Sequence, residues 1–264
     1  MADTSNLPAP LEPSELGTKT YWDECYQREL SNHSENPEDE GTIWFSDSGA
    51  EEKMLEFLDE LADQGTLVKG NGETSWIDKH ATTFLDLGTG NGHLLFALRK
   101  EQWAGAMLGL DYSQASIELA KRIEQARQQT SEQEDDEVCR APIDFLTHDL
   151  LSDRSSPITP FDVLLDKGTF DAISLSSDTT PDGRRASELY RIRVKPLLKD
   201  NGLFLITSCN WTEEELCHWF QTNSAGEDGR FVFQDRVRYP SFRFGGQEGQ
   251  TVVTICFRKQ NVQL

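Results

Sequence analysis

Four aspartates and a run of glycines are where chemistry could reside in this 264-residue chain. The stretch Phe84–His93 reads FLDLGTGNGH, with Asp86 ahead of Gly88, Gly90 and Gly92 at alternate positions and Asn91 between the last two. Such a turn brings bare main chain against a ligand, and the free N–H groups of the helix that follows favour a carboxylate or phosphate. The spacing is D-x-G-x-G-x-G. A dinucleotide loop, G-x-G-x-x-G, would need its third glycine where His93 stands. An ordinary strand–turn–helix corner with no ligand has the same local pattern. Asp111 closes the apolar run AMLGLD 21 residues beyond Gly90, where a carboxylate can accept from ribose hydroxyls or simply cap the helix after Ser113. Asp149 closes IDFLTHD, with Leu150 beside it, and can serve a ligand amino group or form a turn. Asp166 opens the turn D-K-G-T-F-D, in which Gly168 would permit close approach of a substrate.

Strands must hold these residues. Phe84 to Leu87 reads as the end of a buried strand, and LLFALRK after it as a helix. AMLGLDYS, IDFLTHDLL, FDVLLDK and GLFLITSCNW supply four more strands, with SIELAKRIEQA and SELYRIRVKPLL as helices between them. WTEEELCHWF is a further short helix. FVFQDRVRYP and QTVVTICFRK are β-patterned and joined by SFRFGGQEG without a helix, so they form an antiparallel hairpin. The fold class is α/β: a Rossmann-like seven-stranded sheet, mostly parallel, with an antiparallel C-terminal hairpin and helices on both faces, over residues 80–264. A nicotinamide-dependent oxidoreductase, the rival enzyme class, would add a sixth parallel strand after another helix.

Ahead of this domain, residues 1–14 are polar and proline-bearing and are expected to be disordered. Residues 15–65 form a helical segment. In it Tyr21, Trp22, Cys25 and Tyr26 fall at helical spacing, and IWF (43–45) anchors the next helix. Ser48 and Glu51 fit a capping box, Met54, Leu55, Leu58 and Leu61 share one face, and Gly65 ends the helix. LVKGNGETSWIDKH is expected as a polar loop, residues 130–137 as a solvated acidic loop, and RSSPITP as a linker.

Lys plus Arg number 25 against 46 Asp plus Glu, a net charge of −21 that repels phosphate backbones. A nucleic-acid substrate is disfavoured and a basic protein partner suits the field, although solubility alone also explains it. Five scattered cysteines without a C-x-x-C pair, and five histidines without ligand spacing, give no disulfide framework and no metal site. MADTSNLPAP lacks the regions of a signal peptide, and no apolar run approaches membrane-spanning length, so an intracellular protein off the membrane is expected. Nothing demands a dimer, and a monomer is expected.

The glycine loop with its leading acid resembles motif I of the S-adenosylmethionine-dependent methyltransferases. That resemblance implies S-adenosylmethionine as cofactor: Asp86 for its ammonium, the main chain of Gly88, Gly90, Asn91 and Gly92 for its carboxylate, Asp111 for ribose, and Asp149 with Leu150 for adenine. Tyr112 would stack near the adenosine or merely pack. Asp166 and Thr169 would form the methyl-transfer mouth, with Asp166 also against the cofactor and Trp211 of S-C-N-W on the opposite wall. DNA and RNA amino-methyltransferases would carry an N-P-P-Y-like turn where this chain has D-K-G-T.

A narrower match rests on SELGTKTYWDECYQREL, DEGTIWF, LDLGTGNGHLLFALR, LGLDYS, LLDKGTFDAISLS, SCNWT and FGGQEGQTVVTICFRK, spread from Ser14 to Lys259. Together they resemble the eukaryotic protein-lysine methyltransferases that modify translation elongation factor 1-alpha, in their fungal form. The resemblance implies N-methylation of a lysine ε-amine on that factor, in the cytoplasm, with Trp22 and Trp44 as cover over cofactor or lysine stem. A methyltransferase acting on a small molecule or another protein shares the cofactor half and is the alternative.

Overall fold

The computed structural model describes residues 7–63, 68–70, 73–75, 77–131, 141–152, 158–180, 183–222, 229–239, 242–244, 247–249 and 251–261. After a 3₁₀ turn at Glu15–Gly17 come α1 (Lys19–Glu35), a second 3₁₀ turn at Ser46–Ser48 and α2 (Ala50–Asp63). A small antiparallel pair, β1 (Val68–Gly70) and β2 (Glu73–Ser75), stands where spacing suggests only a loop. The alternating half follows: β3 (Phe84–Leu87), α3 (His93–Lys100), β4 (Met107–Asp111), α4 (Gln114–Ser131) and β5 (Ile143–Thr147). Next are β6 (Phe161–Lys167), α5 (Thr169–Ser174), α6 (Ala186–Val194), β7 (Leu198–Ser208) and α7 (Glu213–Gln221). The chain closes with β8 (Arg230–Val237), the short pair β9 (Phe242–Phe244) and β10 (Gln247–Gly249), and β11 (Val253–Gln260).

Seven strands form one sheet in the order β5-β4-β3-β6-β7-β11-β8. The first five run parallel, while β11 inserts antiparallel between β7 and β8. This is the expected hairpin closure, and it is incompatible with the sixth parallel strand of a dinucleotide sheet. Strand residues alternate between two apolar layers, as a period of two requires when both faces are covered. Phe84, Val163, Leu165, Leu203 and Leu205 pack with α2, α3 and α4. Leu85, Leu87, Leu164, Phe204 and Ile206 pack with α5, α6 and α7. Connections reverse between β3 and β6, so the carboxyl ends of these strands open a crevice there.

Three local expectations change. The Ser48–Glu51 capping box is absent: Ser48 Oγ donates to the Phe45 carbonyl (2.8 Å), and Glu51 instead reaches His93 Nδ1 (2.6 Å). A capping box does form at α7, between Thr212 and Glu215. In the N-terminal tail, Leu7 and Leu11 pack on the α5–α7 layer, so residues 7–14 carry apolar anchors that a polar composition conceals. Residues 1–6, Gly65, most of the acidic run 130–137 and positions 153–157 of the linker lie outside the described residues.

Candidate functional site

Burial of both neighbours makes β3 end abruptly in the glycine loop. Thr89 N–H donates to the Leu110 carbonyl (2.8 Å) and Gly90 N–H to Asp111 Oδ2 (3.1 Å), so β4 sets the shape of the loop. Ser116 Oγ, from α4, donates to the Gly90 carbonyl (2.7 Å). Gly90 has φ +57°, and a Cβ there would lie 2.5 Å from the hydroxyl of Tyr26 on α1. Glycine is required at this point because the N-terminal segment touches the loop.

Above this floor lies a cleft of about 550 Å³, a volume typical of a small-molecule site. Trp22, Trp44, Gly88, Asp111, Tyr112, Asp149, Leu150 and Thr169 line it, as their types and spacing predict. Asp111 combines both of its possible roles. Oδ1 accepts from Ser113 N–H (2.8 Å) and Oδ2 from the loop, while an ionised carboxylate keeps further lone pairs for a ligand. Burial raises its pKa, and the Ser113 and Gly90 N–H groups oppose that rise. Asp149 likewise forms a turn, accepting from Leu151 N–H (2.9 Å), and still borders the cleft.

Other candidates stand elsewhere. Asp86 is buried beneath the loop, takes the Thr89 hydroxyl (2.8 Å), and is pushed up to about 6 by desolvation. Asn91 points to the N-terminal segment, donating to the Glu40 carbonyl (2.8 Å), and Gly92 backs onto Phe145 and Phe96. Asp166 is fully buried, and the cleft wall does not include it. Its carboxylate receives Thr169 N–H (2.8 Å), Phe170 N–H (3.1 Å) and the Tyr190 hydroxyl (2.5 Å), and burial pushes it up to about 7. It caps α5 and ties that helix to α6. Trp211 is buried among Phe170 and Trp219, its Nε1 donating to Ser174 Oγ (3.2 Å). Neither of these two borders the cleft.

Sequence spacing passes over several cleft residues. Tyr26 belongs to the aromatic stripe of α1, whose Cys25 is core while Trp22 and Tyr26 turn to the cleft. Lys19, with its ammonium 4.9 Å from the Tyr112 ring centre, carries no motif signal at all. Phe45, Lys167 and Asn210 complete the far end. Lys167 is half-buried. Its pKa is lowered by desolvation, against the pull of Glu51, Asp86 and Asp166.

These walls suit an adenosine-bearing amino acid. Asp111 offers acceptors to vicinal hydroxyls, Leu110, Tyr112 and Leu150 offer apolar faces to a flat ring, and Gly88 offers bare main chain.

A protein-family profile described as a methyltransferase domain matches residues 78–250. Protein-lysine N-methyltransferase EFM4 of Saccharomyces cerevisiae is 39% identical over 96% of this chain and 98% of its own length. EEF1A lysine methyltransferase 2 of Homo sapiens is 34% identical, covering 94% of this chain and 88% of its own. Among solved structures, a TehB-like SAM-dependent methyltransferase of Corynebacterium glutamicum superposes with a TM-score of 0.51 at 16% identity. That comparison covers 90% of this chain and 98% of the other, and it speaks for the fold alone.

Proposed function

The chain belongs to the S-adenosylmethionine-dependent protein-lysine methyltransferases, and from that premise we propose how its cleft serves methylation of translation elongation factor 1-alpha. The observation that carries the site reading is Asp111, tied to the glycine loop at one oxygen while bordering the cleft. Asp111 would hold the ribose, the main chain around Gly88 the amino-acid tail, and Tyr112, Asp149 and Leu150 the adenine. Trp22 and Tyr26 close the cleft from the N-terminal segment, residues 15–65, over the catalytic domain, residues 80–264. When bound, S-adenosylmethionine supplies an electrophilic methyl group on a sulfonium. The protein's part is alignment and exclusion of water. Trp44 and Phe45 at the far end desolvate the approaching lysine stem, which lowers the pKa of its ammonium and favours the neutral, nucleophilic amine.

Asp86 and Asp166 support this site from behind, Asp86 through the loop and Asp166 through α5. Thr169 lines the cleft and donates to the Leu87 carbonyl (2.6 Å), joining the β6 turn to the glycine loop. The net charge of −21 supports a basic protein partner rather than a nucleic acid. Among the described residues no helix is long and apolar enough to cross a membrane. The reading carries with it a monomer that meets its substrate in the cytoplasm. Calorimetry with S-adenosylmethionine tests the site: Asp111→Ala abolishes binding while the melting curve stays cooperative. Unchanged affinity would refute the assignment.

A further inference from the structure

In the turn Asp166–Thr169, the position that spacing reserves for an incoming substrate is filled by the chain's own N-terminal segment. Lys167 Nζ donates to the main-chain carbonyl of Trp44 (3.0 Å), a bond spanning 123 residues. The next residue, Phe45, is left-handed with φ +63° and ψ 21°, a conformation that surrounding contacts must hold in a non-glycine residue. Its ring lies against Gly168, where a Cβ would come within 2.9 Å of it. The Phe45 carbonyl accepts the Ala50 N–H (3.3 Å) and the Ser48 hydroxyl (2.8 Å), starting α2. Trp44 is thus fixed from both sides. Its indole packs edge-on to Trp22 with ring centres 5.1 Å apart and lines the cleft, yet its buried Nε1 has no hydrogen-bond partner in the protein. A buried donor without an acceptor is costly, and beside a ligand cleft a ligand oxygen answers it.

We propose that Lys167 is a positioning residue that holds Trp44 so that its indole N–H donates to an oxygen of the bound reactants. That oxygen belongs either to the cofactor's carboxylate or to a main-chain carbonyl beside the acceptor lysine. This assignment rests on the methyltransferase reading and adds to it a specific donor and the latch that aims it. The three carboxylates whose charge acts on Lys167 are Glu51 of α2, Asp86 of β3 and its neighbour Asp166, which keep a cation in place there.

Full-length Trp44→Phe, Lys167→Met and their combination test it, with calorimetry for S-adenosylmethionine and steady-state methylation of elongation factor 1-alpha. Trp44→Phe keeps the ring and removes the N–H. It weakens one quantity by about three- to tenfold, the loss expected for one hydrogen bond. Weaker cofactor affinity identifies the carboxylate as acceptor; a higher KM for the protein with unchanged cofactor affinity identifies the carbonyl. Lys167→Met weakens the same quantity, keeps the shape of the pH–rate profile, and adds less than twofold to Trp44→Phe. A lost limb of that profile, full additivity, or no effect of Trp44→Phe overturns the proposal. Should Lys167→Met fail to fold, Gly168→Ala displaces Phe45 from the other side and must weaken the same quantity. Inactivity of the wild type on the factor would remove the substrate reading alone. The latch is then decided by amide exchange over residues 43–49, which Lys167→Met accelerates; unchanged exchange refutes it.

Discussion

Asp166 distinguishes a supporting carboxylate from a reacting one, and two substitutions read the difference. Three donors converge on it in the absence of solvent: Thr169 N–H, Phe170 N–H and the Tyr190 hydroxyl. Asp166→Ala leaves all three without an acceptor. At about 1–3 kcal/mol for each buried unpaired group, and with some relaxation, the loss is roughly 3–6 kcal/mol. That is a large share of the roughly 5–15 kcal/mol that holds a domain folded, and it lowers Tm by on the order of 10 °C. Asp166→Asn keeps an acceptor for the two α5 N–H groups and turns an amide N–H toward the Tyr190 oxygen. Its cost should stay within about 1.5 kcal/mol. Urea and thermal unfolding at pH 6.5 measure both variants, and methylation kinetics measure the second. The expected result is a severely destabilised alanine variant and an asparagine variant with kcat within about fivefold of wild type. A wild-type melting curve for Asp166→Asn with kcat down by about 10² or more, the scale of a lost acid–base group, would refute the supporting role.

Three further outcomes follow from the same coordinates. Because burial raises Asp166 to about 7 and Asp86 to about 6, the folded state holds protons that the unfolded chain releases. Their stabilising contribution is complete below the unfolded carboxylate range near 4 and is lost as pH rises through 6 to 7. Urea midpoints should therefore fall between pH 5 and pH 8, and fall less in Asp166→Asn; an identical slope in both would contradict this. Gly90→Ala places a methyl 2.5 Å from the Tyr26 hydroxyl at positive φ, so calorimetry should show cofactor affinity reduced at least about tenfold, as tight-turn strain of 1–3 kcal/mol implies. Tyr26→Phe in that background should recover part of the loss, and no recovery would mean the contact is not the cause. Thr212→Ala removes the α7 capping box and should cost about 1 kcal/mol in urea unfolding without altering methylation.

What the sequence made legible was set by short-range rules. The glycine loop, Asp111 at a strand end and the helix-free C-terminal hairpin follow from periodicity, breakers and spacing, and each sits where those rules place it. Depth does not follow from spacing. Asp166 and Lys167 are adjacent, yet one faces Tyr190 behind the sheet and the other lines the cleft, because successive strand residues point to opposite sides. The Ser48–Glu51 box fails for a related reason: His93, 42 residues away, offers Glu51 a better partner than a local N–H. Trp211, expected beside the reacting groups, joins Phe170 and Trp219 because a large apolar ring gains more from the layer under α7 than from a wet mouth. Lys19 and Tyr26 reach the site only through the way α1 docks on α4 and the loop, which no local pattern encodes.

Intact-mass and peptide mass spectrometry of unmodified elongation factor 1-alpha, incubated with this protein and S-adenosylmethionine, bears most directly on the account. It predicts a mass gain in methyl increments confined to one lysine and absent with Asp111→Ala. A protein that binds the cofactor with calorimetric affinity yet leaves the factor's mass unchanged would contradict it.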